Sequence, residues 1–126
     1  MPALLQHGAQ AHFTPIEDAR APSWTGRRTI LIGDAAHATS PNMAQGAAMA
    51  LEDAWALAEA LDTSPGIDSA LTEFEHRRRP RVGWIQEQTH RRDKIRGLPG
   101  MIRNIALRAA GERITASNYR LLQARP

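Results

Sequence analysis

The sequence predicts an α/β fragment, mostly helical, in which one buried strand and one edge strand of an incomplete sheet precede four or five helices. Three observations predict it. A short β-branched apolar run, Thr29-Ile30-Leu31-Ile32, stops abruptly at Gly33-Asp34, as a strand buried on both faces of a parallel or mixed sheet would. Helical periods dominate everything after Ala44. The chain is 126 residues long and offers only one further strand candidate. A doubly buried strand therefore has too few neighbours within it, and the sheet lies mostly elsewhere.

Taken in order, residues 1–11 show no clear period. His12-Phe13-Thr14-Pro15-Ile16 alternates weakly and suits an edge strand, because proline is tolerated in a sheet only at its margin. Glu17 to Gly26, with Pro22 and Ser23, reads as a loop. From about Ala44 to Leu61 an alanine-rich helix is expected, with Ala47, Leu51, Ala54, Ala58 and Leu61 recurring on one face and Glu52 and Glu59 opposite. Thr63-Ser64-Pro65-Gly66 stops it. Ile67, Ala70, Leu71 and Phe74 begin a second helix with Asp68 as its N-cap, and Pro80 is expected to kink or break it. Val82, Ile85, Gln86 and Thr89 resume the helical period to about Arg96, where Gly97-Leu98-Pro99-Gly100 forms a turn. Ile102, Ile105, Ala106 and Ala109 mark another helix closed by Gly111, and residues 114–123 a short final one.

Composition narrows the function classes. Apolar residues are 42% of the chain and charged residues 23%, enough core for a globular domain and ordinary for a soluble one. No apolar run approaches the roughly 18 residues of a membrane span, and Met1 to His7 carries no basic n-region. A cytoplasmic protein with no membrane partner is the expectation. Without cysteine there is no disulfide framework, thiolate metal site or cysteine nucleophile. Charge is unevenly placed: residues 1–75 carry three arginines against ten carboxylates, whereas residues 76–126 carry thirteen basic residues against three acids. A basic half can mark a nucleic-acid binder. Here the aromatics among those basic residues are only Trp84 and Tyr119, so stacking platforms are missing and no nucleic-acid partner is expected. The charges read as solvated helix faces, with one face that another part of the protein would cover. Arg77-Arg78-Arg79 reads in the same way, as a solvated helix end.

The chemistry concentrates in Gly33-Asp34-Ala35-Ala36-His37-Ala38-Thr39-Ser40-Pro41-Asn42-Met43-Ala44-Gln45-Gly46-Ala47-Ala48 and the helix that follows. A carboxylate at the end of a strand faces the crevice where open sheets bind ligands, and an ionised carboxylate accepts from ligand hydroxyls. Small loop residues let a ligand approach the backbone, and Gly46 leaves the first helical turn open. The free N–H groups of that turn, around Gly46, Ala47 and Ala48, favour an anion or an electron-rich oxygen.

This stretch resembles the second FAD-binding motif of the aromatic hydroxylase family of flavoprotein monooxygenases, the para-hydroxybenzoate and salicylate hydroxylase-like enzymes. The shared pattern is Gly33-Asp34-Ala35-Ala36-His37, Pro41, Gln45-Gly46 and Glu52-Asp53-Ala54. His12 to Ile16, Trp24 and Gly26-Arg27 before it, and Phe74 to Arg81 after it, agree with the family, so the resemblance covers about residues 12–82. Residues 1–126 then form a single partial domain, with 12–82 the FAD-binding motif region and 83–126 a helical tail without a usable signature.

The resemblance implies a C-terminal, flavin-contacting part of an enzyme that hydroxylates small aromatic substrates with FAD, NAD(P)H and O2, and that is not active alone. Asp34 would accept from the ribityl hydroxyls, Pro41 would line the isoalloxazine side of the substrate cavity, and the Gly46–Ala48 backbone would meet the N1/C2=O edge of the flavin. Ala44 stands where glycine is commoner, which allows a tight loop unless φ is positive there. There is no Gly-x-Gly-x-x-Gly after a strand. The implied partner is therefore a missing N-terminal FAD-binding half, or a second copy. No catalytic residue and no metal site are expected on this chain. His37 is expected to be structural and bonded to backbone, and Asp53 to anchor the loop. A hydrolase built on Asp34, His37 and Ser40 is disfavoured, because no nucleophile elbow is present. The alternative from another class is a non-enzymatic helical interaction module with a basic face.

Overall fold

The computed structural model describes residues 14–105, 107–109 and 111, and these are mostly helical. A one-turn helix α1 (Asp34–His37) follows an extended segment, and a 3-10 turn (Pro41–Met43) follows α1. Two long helices then pack on each other, α2 (Gly46–Thr63) and α3 (Ile67–Arg96), and residues 100–105, 107–109 and 111 are again helical.

Helix α2 forms where it was expected because ten of its 18 positions are alanine or leucine, the residues that lose least on entering a helix. It ends where Ser64 turns extended before Pro65, with the Ser64 N–H still bonded to the Ala60 carbonyl at 3.0 Å. Three residues later α3 begins, and its side chains meet those of α2 in reverse order, Arg77 on Glu59 and then Arg81 on Glu52. The two helices are thus an antiparallel hairpin. Trp24, Ala36, Met49, Ala56, Ala60, Ala70, Phe74, Val82 and Ile85 form the buried cluster between them and the preceding segment.

Several sequence expectations need correction. The predicted apolar face of α2 is the outer one: Leu51 is 74% exposed and Leu61 49%, and Ala47, Ala54 and Ala58 are exposed with them. The buried face is Met49, Asp53, Ala56 and Ala60. A polar residue occupies one of its four positions, so hydropathy alone selected the wrong stripe. Pro80 does not break α3, which runs for 30 residues. Proline there lies on the exposed side, while Arg78, Val82 and Ile85 on either side of it are buried and hold both halves against the same neighbours. Asp68 is not the N-cap; Gly66 is, and no side-chain cap bond forms. Gly111 is helical, and the residues after it lie outside the described ones.

The Thr29–Ile32 run is not a buried strand here. It makes one isolated antiparallel bridge, Thr25 to Ile30, and exposes Leu31 and Ile32 by 38% and 40%. A strand buried within a sheet needs partners on both edges to satisfy its N–H and C=O groups, and the described residues supply one short return around Gly26. No strand forms at Thr14 to Ile16, and His12, Phe13 and the helix expected at 114–123 lie outside the described residues.

The uneven charge has a structural use. The carboxylates of α2 meet the arginines of α3 face to face: Glu52 with Arg78 and Arg81, Asp53 with Arg78, and Glu59 with Arg77. Arg79 and Arg91 pair within α3 to Glu75 and Glu87. The arginine triplet is therefore not a solvated helix end. Its middle member, Arg78, is fully buried.

Candidate functional site

The site is built around a buried carboxylate. Asp53 projects from the packed face of α2 and is wholly shielded from solvent. Its Oδ2 accepts from the Gly33 N–H at 2.9 Å and pairs with His37 Nε2 at 2.6 Å. Its Oδ1 accepts from Arg78 Nε at 2.8 Å. Arg78 then spends Nη1 on Glu52 at 2.8 Å and Nη2 on the Met49 carbonyl at 3.3 Å. Arg81 grips both oxygens of Glu52, at 2.7 and 2.6 Å. One chain of charge-assisted bonds thus runs from the rim of α3 to the backbone of the Gly33 turn.

The Asp53 anchoring role anticipated from sequence is present in this geometry. His37 is structural too, but its partner is the Asp53 carboxylate and not backbone. The ring sits beside Trp24, with centroids 5.5 Å apart. Its Nδ1 is buried without a partner, an arrangement met by a ring that carries its proton on Nε2 and donates it to Asp53.

Electrostatics follow from the contacts. Burial pushes the Asp53 carboxyl up, but hydrogen bonds from His37, the Gly33 N–H and Arg78 outweigh it and hold the group below its ordinary value. Glu52 is likewise raised by burial and lowered further by the guanidinium groups of Arg81 and Arg78. Glu75, raised by burial, is brought below its ordinary value by Thr25, the Trp24 N–H and Arg79. Those last bonds fix the segment before the turn, with Trp24 N–H at 3.0 Å and Thr25 N–H at 2.9 Å from the Glu75 carboxylate.

On this frame the predicted contact residues take up defined places. Gly33 adopts φ 57° and ψ −141°, a combination that only glycine adopts without strain. That turn delivers Asp34 to solvent at the first position of α1. A Cβ added to Gly46 would lie 3.8 Å from Asp34 Oδ1, so Asp34 stands against the opening turn of α2. The first bond within that turn runs from the Met49 N–H to the Gln45 carbonyl at 2.8 Å. Among the described residues no side chain caps the preceding N–H groups of Gly46, Ala47 and Ala48. Carboxylate and helix terminus therefore lie side by side. Pro41 is exposed at the start of the 3-10 turn, which ends at Ala44 in the left-handed region, φ 52° and ψ 31°. Alanine thus occupies the conformation that glycine takes without cost.

Sequence reasoning missed the contribution of α3. Gln86 Nε2 donates to the Ala38 carbonyl at 3.4 Å and to that of Ala19 at 2.9 Å. Ser40 donates to Asp93 at 3.3 Å, and Arg96 Nη1 to Asn42 Oδ1 at 3.1 Å. A signal for Arg78 was present, since it falls in register with Phe74, Val82, Ile85 and Thr89 at helical spacing. Near the loop, Thr39 Oγ1 and Asn42 Nδ2 are buried and have no partner among the described residues, which suits a surface that a polar ligand completes. A separate cleft of about 200 Å³, lined by Arg20, Trp24, Arg79, Gly83 and Gln86 among others, is below the usual size for a ligand of FAD's bulk. Among the described residues no cluster could hold a metal and no helix is long and apolar enough to cross a membrane.

Comparison with known proteins gives a family. A family model described as "FAD binding domain" matches residues 3–89, more than half of the chain. The chain is 43% identical over 74 residues to a 2-heptyl-3-hydroxy-4(1H)-quinolone synthase of Pseudomonas aeruginosa, covering 59% of this chain and 19% of that protein. It is 41% identical over 98 residues to a 3-amino-4-hydroxybenzoate 2-monooxygenase of Streptomyces platensis, covering 75% and 23%. A salicyloyl-CoA 5-hydroxylase of a Streptomyces species is 41% identical over 80 residues, covering 63% and 16%. The chain thus spans about a fifth of the length of these relatives.

Proposed function

Because the chain belongs to the FAD binding domain family of FAD-dependent monooxygenases, we propose that it forms the C-terminal flavin-contacting wall of such an enzyme. The observation that carries this reading is the Asp34 carboxylate beside Gly46, at the uncapped first turn of α2. Bound there, FAD would supply the redox and oxygen chemistry that hydroxylates a substrate. The residues of this chain bind and orient it. Asp34 accepts from ribityl hydroxyls, while the N–H groups of Ala47 and Ala48 lie where negative charge collects on the flavin edge. Gly46 keeps the approach free of a side chain, and Pro41 borders the side where substrate enters. The uncapped donors and the buried, unpartnered Thr39 and Asn42 atoms fit such a ligand.

The substrate class is a small aromatic or heteroaromatic ring, in keeping with the names of the relatives. NAD(P)H is the reductant this reading requires. About four-fifths of the length of those relatives lies outside the match. That region would supply the rest of the flavin site and cover Leu31, Ile32, Leu51 and Leu61. Titrating FAD with the chain, alone and with the N-terminal FAD-binding region of a relative, tests the reading. Weak saturable quenching of flavin fluorescence alone, strengthened by the added region, is expected; no perturbation in either mixture removes the proposal.

The same exposed leucines favour a second reading, a helical module that associates with itself. Sedimentation separates the two. A stable dimer with no affinity for FAD supports the module, and a monomer that binds FAD excludes it.

A further inference from the structure

We infer that α3 is the positioning element of the flavin-contacting turn, and that Arg78 and Gln86 are its positioning residues. The inference rests on the flavin reading for its purpose and on geometry for its substance. The turn that presents Asp34 is only four residues long, too short to hold its own conformation in water. It is held at both ends from α3. At its start the Gly33 N–H is bonded to Asp53, which Arg78 fixes through Nε at 2.8 Å. At its end the Ala38 carbonyl accepts from Gln86 Nε2, and it accepts from the Ala19 N–H at 2.9 Å as well. His37, within the turn, closes onto the same Asp53 oxygen as Gly33.

Burial makes this arrangement specific. Arg78 and Asp53 are 0% exposed and Gln86 is 6%, so a lost partner cannot be replaced by bulk water. Arg78 and Gln86 lie about two helical turns apart on the buried face of α3. A lysine at position 78 keeps the charge but places all its donors on one nitrogen, which cannot reach Asp53, Glu52 and the Met49 carbonyl together as the three nitrogens of the guanidinium do.

The test follows amide hydrogen exchange residue by residue in the full chain, together with urea unfolding and FAD titration. In Arg78→Lys the Gly33 amide should exchange roughly tenfold faster than global destabilisation accounts for, with the Ala56 and Ala60 amides following the global change. FAD affinity should fall about tenfold in the same variant. Equal acceleration at Gly33, Ala56 and Ala60 means that Arg78 is merely structural, and overturns the inference.

Should Arg78→Lys fail to fold, the wild-type chain supplies the second measurement. The Gly33 amide shift should follow the protonation of Asp53, which is faced by His37 from α1, by Arg78 from α3 and by its neighbour Glu52. A Gly33 amide that does not move while the Asp53 carboxyl carbon itself titrates in the folded chain also overturns it. If Gly33 responds as stated but no form of the chain binds FAD, the flavin reading fails and the clamp stands.

Discussion

Arg78 Nε donates to Asp53 Oδ1 across 2.8 Å with both side chains wholly buried, and through that bond the longest helix reaches the turn that carries Asp34. A buried pair of this kind contributes little compared with an apolar pair of equal volume, yet removing one partner strands the other. Arg78→Leu should destabilise the chain by about 3–5 kcal/mol. Arg77→Leu should cost less than about 1 kcal/mol, because Arg77 and Glu59 are 30% and 45% exposed. Urea denaturation of both variants checks the contrast, and similar losses would contradict it.

Gly33 and Ala44 test backbone strain with opposite signs. Gly33→Ala places a side chain at φ 57°, ψ −141° and 3.4 Å from the Ala50 Cβ, which should cost about 1–3 kcal/mol. Ala44→Gly relieves a left-handed alanine and should stabilise the chain by about 1 kcal/mol. Thermal melts of the two variants should shift in opposite directions.

Acid stability follows from Asp53, Glu52 and Glu75, all held below their ordinary values in the folded chain. Each binds its proton more readily when unfolded, so the contribution is complete above the ordinary values of 4.5 for the glutamates and 3.8 for Asp53. It is lost as pH falls through the lower folded values. Denaturation measured between pH 7 and pH 2 should show a plateau and then an acid decline, and Asp53→Asn should flatten part of that decline.

Much of this was readable from the residues, for identifiable reasons. Alanine content and the Ser64-Pro65-Gly66 stop placed α2, and the Gly33-to-Ala54 motif marked the stretch where Asp34 meets Gly46. Charged partners hid the rest. Asp53 on the packed face of α2 made the outer stripe look like the apolar one, and Arg78 was read as solvated although Phe74 and Val82 frame it on the buried face. Neither is visible without its partner, because a charge is buried only when something opposite neutralises it. Thr29 to Ile32 reads as a strand because its apolar side chains suit burial on both faces, but among the described residues only the Thr25–Ile30 bridge pairs it.

Asp34 provides the most direct test of the central claim. Its carboxylate is exposed, makes no hydrogen bond among the described residues and lies beside the open turn of α2. Asp34→Ala should therefore leave unfolding unchanged within about 0.5 kcal/mol. The deciding measurement is an FAD titration of wild type and Asp34→Ala in parallel, with the N-terminal region of a relative present in both. Saturable binding that weakens about tenfold in the variant, the loss of one charged hydrogen-bond acceptor, is the predicted result. Equal affinity for FAD in the two proteins would contradict it.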